Sequence, residues 1–237
     1  MPPKSTPHHA ERIRLFSRRL LAWFRRHGRD LPWRRTRDPY RIVVSEFMLQ
    51  QTQVARVEQY YPRFLKQFPT VEALAGATPA RVREAWEGLG YYRRAANLHR
   101  LAKHVVRDHE GRIPGETEIL RCLPGVGPYT AGAVASFAFE RAVPAVDTNV
   151  ARVLRRAFHP RAGSDAAGQA LLWTAAARLH SRPGRRAWAL NQAIMELGAV
   201  ICTARVAKCG ECPVASECKT GKLRQRSVDA VIEAAPR

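Results

Sequence analysis

Residues 123–132 read Leu-Pro-Gly-Val-Gly-Pro-Tyr-Thr-Ala-Gly, an apolar turn in which two glycines flank one valine. Gly125 and Gly127 permit a tight turn between two helices, whose backbone amides would face outward at the N-terminus of the second helix. Free amides and the helix dipole favour an anion such as phosphate there. An ordinary helical hairpin needs the same glycines, so the turn by itself does not identify a ligand.

The charge of the chain favours a polyanionic partner. Its 237 residues include 40 Lys and Arg but 20 Asp and Glu, a formal net charge of +20. Arginine, which makes planar bidentate contacts with phosphate, is by far the commoner base. A GC-rich genome would explain the preference for arginine, but not the shortage of acidic residues. Charge and turn together predict that Gly125, Val126 and Gly127 contact the DNA backbone.

The rest of the composition is typical of an intracellular globular protein. Hydrophobic residues make up 46% of the chain, which excludes a wholly disordered basic tail. No apolar stretch approaches the length of a membrane span, and the first residues lack the apolar run of a signal peptide. We therefore expect a cytoplasmic protein in which Met1 to Arg14 form a solvated arm.

Apolar residues recur at helical spacing along most of the chain, and alternating strand patterns are scarce. One stripe runs from Ile13 to Phe24 and another from Val54 to Phe68. Thr78 and the following proline have the pattern of a helix N-cap and first helical residue. The sequence predicts an all-α fold of many short helices.

Four cysteines near the C-terminus have the spacing C-x6-C-x2-C-x5-C; they are Cys202, Cys209, Cys212 and Cys218. Four thiolates within seventeen residues can surround one metal centre, and both zinc and an iron–sulfur cluster accept four cysteines. The spacing predicts a metal centre and leaves the metal open. The fifth cysteine, Cys122, is predicted to be a core thiol.

Several motifs taken together resemble the endonuclease III superfamily of helix–hairpin–helix DNA glycosylases, and within it the MutY branch of adenine glycosylases. The hairpin is residues 123–132, and four further segments fit the MutY branch in order and spacing: Leu31–Arg34, Ser45–Val54, Gly88–Tyr92 and Val146–Val150. The cysteine spacing is similar to that of the superfamily's [4Fe–4S] cluster. The resemblance covers residues 12–222 and implies that cluster as the cofactor.

The resemblance implies a two-lobed all-α fold with double-stranded DNA bound in the cleft. A six-helix bundle containing the hairpin would span residues 31–144. The other lobe would combine the N-terminal arm and helix, residues 1–30, with the C-terminal helices and four-cysteine loop, residues 145–222. Residues 223–237 would form a basic tail.

Two carboxyl groups, Glu46 and Asp147, carry the implied chemistry and would meet across the cleft. Glu46 lies among apolar residues, and burial would raise the pKa of its carboxyl so that it can act as a general acid. In the family, the matching Glu protonates the adenine ring, while the matching Asp stabilises the cationic sugar or attacks it transiently before water completes the hydrolysis. Without the resemblance, Glu46 would be assigned as a helix surface charge and Asp147 as a helix N-cap.

Tyr129 occupies the hairpin position at which bifunctional relatives carry a lysine. A lysine amine can form a Schiff base with the sugar and open a route to strand cleavage, whereas tyrosine cannot. The resemblance therefore implies a monofunctional glycosylase. The alternative role of Tyr129, a helix residue that caps the hairpin, is compatible with this one.

A glycosylase extrudes its target base, and a protein side chain fills the gap that remains. By resemblance, Gln51 and Tyr91 enter the DNA helix near the orphan base. Arg34 and Arg94, close to the same motifs, are predicted to contact DNA or the base pocket.

The sequence favours a monomeric, monofunctional DNA glycosylase that removes adenine mispaired with guanine or 8-oxoguanine in base-excision repair, with no membrane partner. One alternative is a glycosylase of the same fold for mismatched thymine, uracil or another damaged base. Another is a non-catalytic helix–hairpin–helix DNA-binding protein, which would need neither carboxyl. The chain ends about twenty residues after Cys218, so we expect a short form without the Nudix-like domain that helps full-length MutY proteins recognise 8-oxoguanine.

Overall fold

The computed structural model describes residues 7–180 and 184–222. Within these ranges the chain is helical and contains no strand, only an isolated bridge between Cys202 and Ala207. The prediction of an all-α fold is confirmed. In the same ranges, no helix is long and apolar enough to span a membrane.

The α-helices of these ranges follow one another in short segments. In chain order they are α1 Pro7–His27, α2 Pro39–Leu49, α3 Val54–Gln67, α4 Val71–Ala75, α5 Pro79–Ala85, α6 Arg93–Asp108, α7 Thr117–Leu120, α8 Pro128–Phe139, α9 Thr148–Phe158, α10 Ala166–Leu179 and α11 Arg185–Val200. Three 3-10 helices cover Pro32–Arg34, Cys209–Glu211 and Ala215–Glu217.

The chain forms two compact units. The bundle unit is Asp30–Arg141, and the cysteine unit combines the described residues up to Arg29 with those from Ala142 onward. These divisions lie within three residues of the expected lobe boundaries at 31 and 144.

Helix α2 is the central helix of the bundle unit. It begins where the Asp38 side chain accepts a hydrogen bond of 3.1 Å from the Arg41 amide, with Pro39 as the first helical residue. Every residue from Ile42 to Met48 is buried, because α2 packs against α3, α6 and α8. The helix therefore places Glu46 inside the bundle.

An aromatic cluster supports the other side of the bundle unit. The Phe64 ring packs against the rings of Phe68 and Trp86, with centroid distances of 5.0 and 5.8 Å.

Helix α5 begins as predicted, since the Thr78 hydroxyl accepts a hydrogen bond of 3.3 Å from the Arg81 amide.

The core of the cysteine unit lies between α1, α9, α10 and α11. Phe16 and Phe158 are fully or almost fully buried, and their ring centroids lie 5.0 Å apart. Helix α1 begins at Pro7, so the expectation of a solvated arm through Arg14 is wrong for residues 7–14, where Ile13 packs against this core. Residues 1–6 and the predicted tail at 223–237 lie outside the described residues.

Candidate functional site

Glu46 is buried in the bundle unit, with 3% of its surface exposed. Ser45 and Phe47, its neighbours on α2, are at most 1% exposed. The interpretation of Glu46 as a helix surface charge is therefore wrong. A buried carboxyl has the surroundings that a general acid requires, because desolvation favours its neutral form.

Asp147 caps helix α9 of the cysteine unit. Its Oδ1 accepts a hydrogen bond of 2.7 Å from the Val150 amide, and its Oδ2 accepts one of 3.1 Å from the Asn149 side-chain amide. Burial raises the pKa of Asp147, an effect that these two hydrogen bonds oppose. The N-cap role is confirmed. The hydrogen bonds fix the orientation of a carboxyl group whose ionisation burial makes less favourable.

A hydrogen-bonded chain links Asp147 to the four-cysteine loop. Arg152, on the next turn of α9, donates to the Asn149 side-chain oxygen at 2.7 Å, to the Gly198 carbonyl at 2.6 Å and to the Cys202 carbonyl at 2.8 Å. Asn149 in turn donates to Asp147. The first cysteine of the loop and the carboxylate are thus joined through two polar side chains.

Glycine at position 198 makes this arrangement possible. A Cβ there would lie 2.8 Å from the Asn149 Cβ, closer than such atoms approach. The missing side chain allows α11 to pack against the start of α9 and brings the Gly198 carbonyl within reach of Arg152.

The four cysteines predicted to bind metal all line one small pocket. Two N–H groups point at its sulfur atoms: an Arg156 guanidinium nitrogen lies 3.3 Å from the Cys202 sulfur, and the Gly221 amide lies 3.3 Å from the Cys218 sulfur. Burial raises the pKa of Cys212 to about 11 and also that of Cys218, so a positive centre is needed to hold them as thiolates. Among the described residues, no three His, Cys, Asp or Glu side chains form a group arranged to hold a single metal ion.

The glycine turn lies as predicted between α7 and α8. Gly125 has φ +79°, and a Cβ there would lie 2.8 Å from the Cβ of Asn97. Gly127 is the N-cap of α8, exposed and with open space around it. Val126, by contrast, is buried and its amide donates to the Leu123 carbonyl, so the two glycines form the exposed part of the turn.

Tyr129 is the second residue of α8 and is half-buried. Cys122, just before the turn, is exposed, so its prediction as a core thiol is wrong. Its sulfur donates to the Glu118 carbonyl.

The two side chains predicted to enter DNA share an unusual backbone conformation. Gln51 has φ +55° and Tyr91 has φ +47°, in the left-handed region that residues other than glycine rarely adopt. Gln51 is exposed, and Tyr91 is 62% exposed although it is a large aromatic residue. Their entry into DNA stays a prediction.

The two arginines predicted to contact DNA differ in position. Arg34 is half-buried at the end of the 3-10 helix Pro32–Arg34, and its contact with DNA stays a prediction. Arg94 is 7% exposed, and both its terminal nitrogens donate to protein oxygens. These protein oxygens occupy the guanidinium, and its contact with DNA or the base pocket stays a prediction.

Sequence reasoning missed Arg152 and Arg156. Both follow Asp147 on α9, at helical spacing, but the chain contains so many arginines that nothing distinguishes these two from solvated ones. Only the position of the Cys202 carbonyl and sulfur identifies them.

Comparison with known proteins places these features in a repair family. The sequence profile of the HhH-GPD superfamily, base excision DNA repair proteins, matches residues 44–175. The chain is 50% identical over 197 residues to the adenine DNA glycosylase of Mycobacterium tuberculosis, covering 82% of this chain and 64% of that protein. It is 46% identical to the adenine DNA glycosylase of Mycolicibacterium smegmatis over 84% of this chain and 67% of that protein.

Among solved structures, a thermostable thymine-DNA glycosylase is similar to this chain, with a TM-score of 0.82 and 30% identity. The match covers 90% of this chain and 98% of that one. The chain thus spans nearly all of this structural neighbour, but about two thirds of the curated mycobacterial relatives.

Proposed function

Because this chain belongs to the HhH-GPD superfamily of base-excision DNA repair proteins, we propose that it is a monofunctional DNA glycosylase that releases mispaired adenine. Its similarity to two mycobacterial adenine DNA glycosylases supports adenine as the base. The observation that carries the proposal is the burial of Glu46 within the segment that the family profile matches. A non-catalytic DNA-binding protein would have no use for a buried carboxyl there.

In the proposed reaction, Glu46 donates a proton to the adenine ring. Protonation makes the base a better leaving group, so the N-glycosidic bond breaks and the sugar becomes cationic. Asp147, held by the Val150 amide and Asn149, stabilises that positive charge as a carboxylate. Water then adds to the sugar and leaves an abasic site, and no lysine at position 129 is available to cleave the strand.

We propose that the protein acts on double-stranded DNA containing adenine opposite guanine or 8-oxoguanine. The net charge of +20 supports binding to phosphates. Gly125 and Gly127 are exposed and have no side chain, so a DNA phosphate can come close to the protein backbone at the start of α8. Gln51 and Tyr91 would occupy the gap that the extruded base leaves.

The cofactor proposed for the four-cysteine pocket is a [4Fe–4S] cluster. Four thiols around one pocket fit its ligand set, and the two N–H groups directed at sulfur would stabilise thiolates. The cluster would hold the loop that follows α11 in one conformation. Cys212→Ser should then abolish the broad visible absorbance of the aerobically purified protein, whereas a colourless protein with stoichiometric zinc would contradict the cluster.

Thymine in a G·T mismatch is the second candidate substrate base. The similarity to the thermostable thymine-DNA glycosylase, at a TM-score of 0.82, favours it. The same two carboxyls and Tyr129 would serve either reaction.

A single-turnover experiment with Glu46→Gln tests the proposed acid. The amide keeps the shape of the side chain but carries no acidic proton, so release of adenine from an A·G duplex should fall roughly a hundredfold to ten-thousandfold while duplex affinity is retained. Glu58→Gln, the same change at an exposed position on α3, is the control and should release adenine at the wild-type rate. A Glu46→Gln protein with a near-normal rate would show that Glu46 is not the acid.

A further inference from the structure

We infer that Arg94 is a positioning residue, which holds the loops carrying Gln51 and Tyr91 in one arrangement so that both side chains reach DNA together. The inference rests on the proposed glycosylase function. We call residues 50–53 and 88–92 the wedge loops.

The wedge loops are held in conformations that the chain does not favour by itself. Gln51 and Tyr91 each have a positive φ, of 55° and 47°. Such a conformation persists at a non-glycine residue only where surrounding contacts impose it. The contacts that impose it converge on one guanidinium.

Arg94 binds the first wedge loop and the end of α2. Its Nη1 donates to the Phe47 carbonyl at 3.0 Å, to the Met48 carbonyl at 2.7 Å and to the Gln50 carbonyl. Its Nη2 donates to the Thr52 hydroxyl at 2.9 Å. These acceptors lie on both sides of Gln51 and include the carbonyl of the residue that follows Glu46.

The same guanidinium binds the second wedge loop. Its Nη2 donates to the carbonyls of Leu89 and Gly90, at 3.2 and 3.1 Å. The guanidinium carbon lies 5.4 Å from the centroids of both the Trp86 and the Tyr91 rings. The Trp86 indole also donates to the Gly90 carbonyl at 3.1 Å, so ring and guanidinium hold this loop jointly.

Only arginine suits this position. A cation at the second residue of α6 faces the positive end of the helix dipole, which is unfavourable unless other acceptors compensate. The two terminal nitrogens of the guanidinium offer four N–H donors in one plane and make all of these hydrogen bonds, while the buried Nε makes none; a lysine ammonium offers three donors from a single atom and cannot reach both loops in this way. With 7% of its surface exposed, Arg94 acts through the loops and not by touching DNA.

Hydrogen exchange of the DNA-free protein, followed by mass spectrometry, tests the joining of the loops. In Arg94→Met, peptides covering 49–53 and 88–92 should both exchange at least roughly tenfold faster. Local opening of the loops costs less free energy in this variant, because the hydrogen bonds to the guanidinium that opening would break are already absent. Arg93→Met removes the same charge from the neighbouring exposed position and should leave both peptides unchanged. Faster exchange in only one loop, in neither, or throughout the bundle unit would overturn the inference. If Arg94→Met does not fold, Arg94→Lys is measured against the same criteria.

Single-turnover kinetics separate positioning from general destabilisation. Arg94→Lys should slow adenine release roughly tenfold to a hundredfold, since small misplacements of groups that act on the substrate are that costly. In a Gln51→Ala, Tyr91→Ala background, the same change should cost less than about threefold, because its effect passes through those side chains. Equal losses in both backgrounds would contradict the inference. If the wild type releases no adenine, the proposed function fails, while the exchange experiment still decides the role of Arg94.

Discussion

Replacing Arg152 with glutamine tests whether the four-cysteine loop supports the position of Asp147. The guanidinium joins the loop to Asn149, which holds the second oxygen of the Asp147 carboxyl. Glutamine keeps a polar side chain of moderate length but cannot span the three acceptors. The substitution therefore removes the hydrogen bonds between the four-cysteine loop and Asn149, and it changes neither the cysteines nor Asp147.

The expected magnitude follows from the contacts of Arg152. Three hydrogen bonds from a charged donor, at 2.6 to 2.8 Å, stabilise the fold by about 1.5 kcal/mol each, or about 4 to 5 kcal/mol together. Part of this offsets the cost of desolvating the guanidinium, whose pKa burial lowers. A net loss of about 2 to 3 kcal/mol of stability is expected, with base release slowed roughly tenfold to a hundredfold by the misplaced carboxylate.

The assay pairs single-turnover adenine release with thermal unfolding and visible absorbance. Arg155→Gln is the matched control, because Arg155 lies on the same helix and donates to the Gly163 carbonyl, away from Asp147. Arg152→Gln should release adenine slowly even at temperatures at which it is fully folded and retains its absorbance, whereas Arg155→Gln should not. If Arg152→Gln releases adenine at the wild-type rate, the hydrogen-bonded chain to Asp147 is structural only.

Three further predictions concern pH, strand cleavage and salt. Burial raises the pKa of Asp147 above the usual 3.8, and the reaction needs the ionised form of this carboxyl. The rate of base release should therefore fall on acidification at a higher pH than it would with an ordinary aspartate. Asp147→Asn should be severely slowed and should lack this pH dependence. Tyr129→Lys should gain strand cleavage and be trapped on DNA by borohydride, whereas trapping of the wild type would overturn the monofunctional assignment. Duplex affinity should fall linearly with salt on a log–log plot, and a flat plot would exclude phosphate contact as its source.

Features that depend on local sequence could be predicted. The helical stripe at 13–24 lies on α1, and the stripe at 54–68 lies on α3 and its C-cap residue Phe68. Thr78 and Asp147 cap the helices that follow them. Each of these depends on residues within one or two helical turns of each other, so spacing alone carries the information.

The positions of individual arginines could not be predicted. The residues around Arg94 and Arg152 in the sequence resemble those around exposed arginines. The roles of both depend on hydrogen bonds to carbonyl groups more than forty residues away in sequence. At Arg94 these carbonyls point at the guanidinium because each wedge loop contains a residue with a positive φ. The periodicity of the sequence does not reveal such a backbone conformation. The same limit explains Cys122, which lies beside the buried Leu123 and is nevertheless exposed.

Base release from a panel of duplexes tests the central claim most directly. Wild-type protein would be incubated under single-turnover conditions with duplexes carrying one A·G, A·8-oxoG, A·C, G·T or G·U pair, and the free bases identified. The proposal predicts release of adenine from A·G or A·8-oxoG, leaving an intact strand that breaks only after alkali or heat. Release of thymine or uracil without adenine would contradict it.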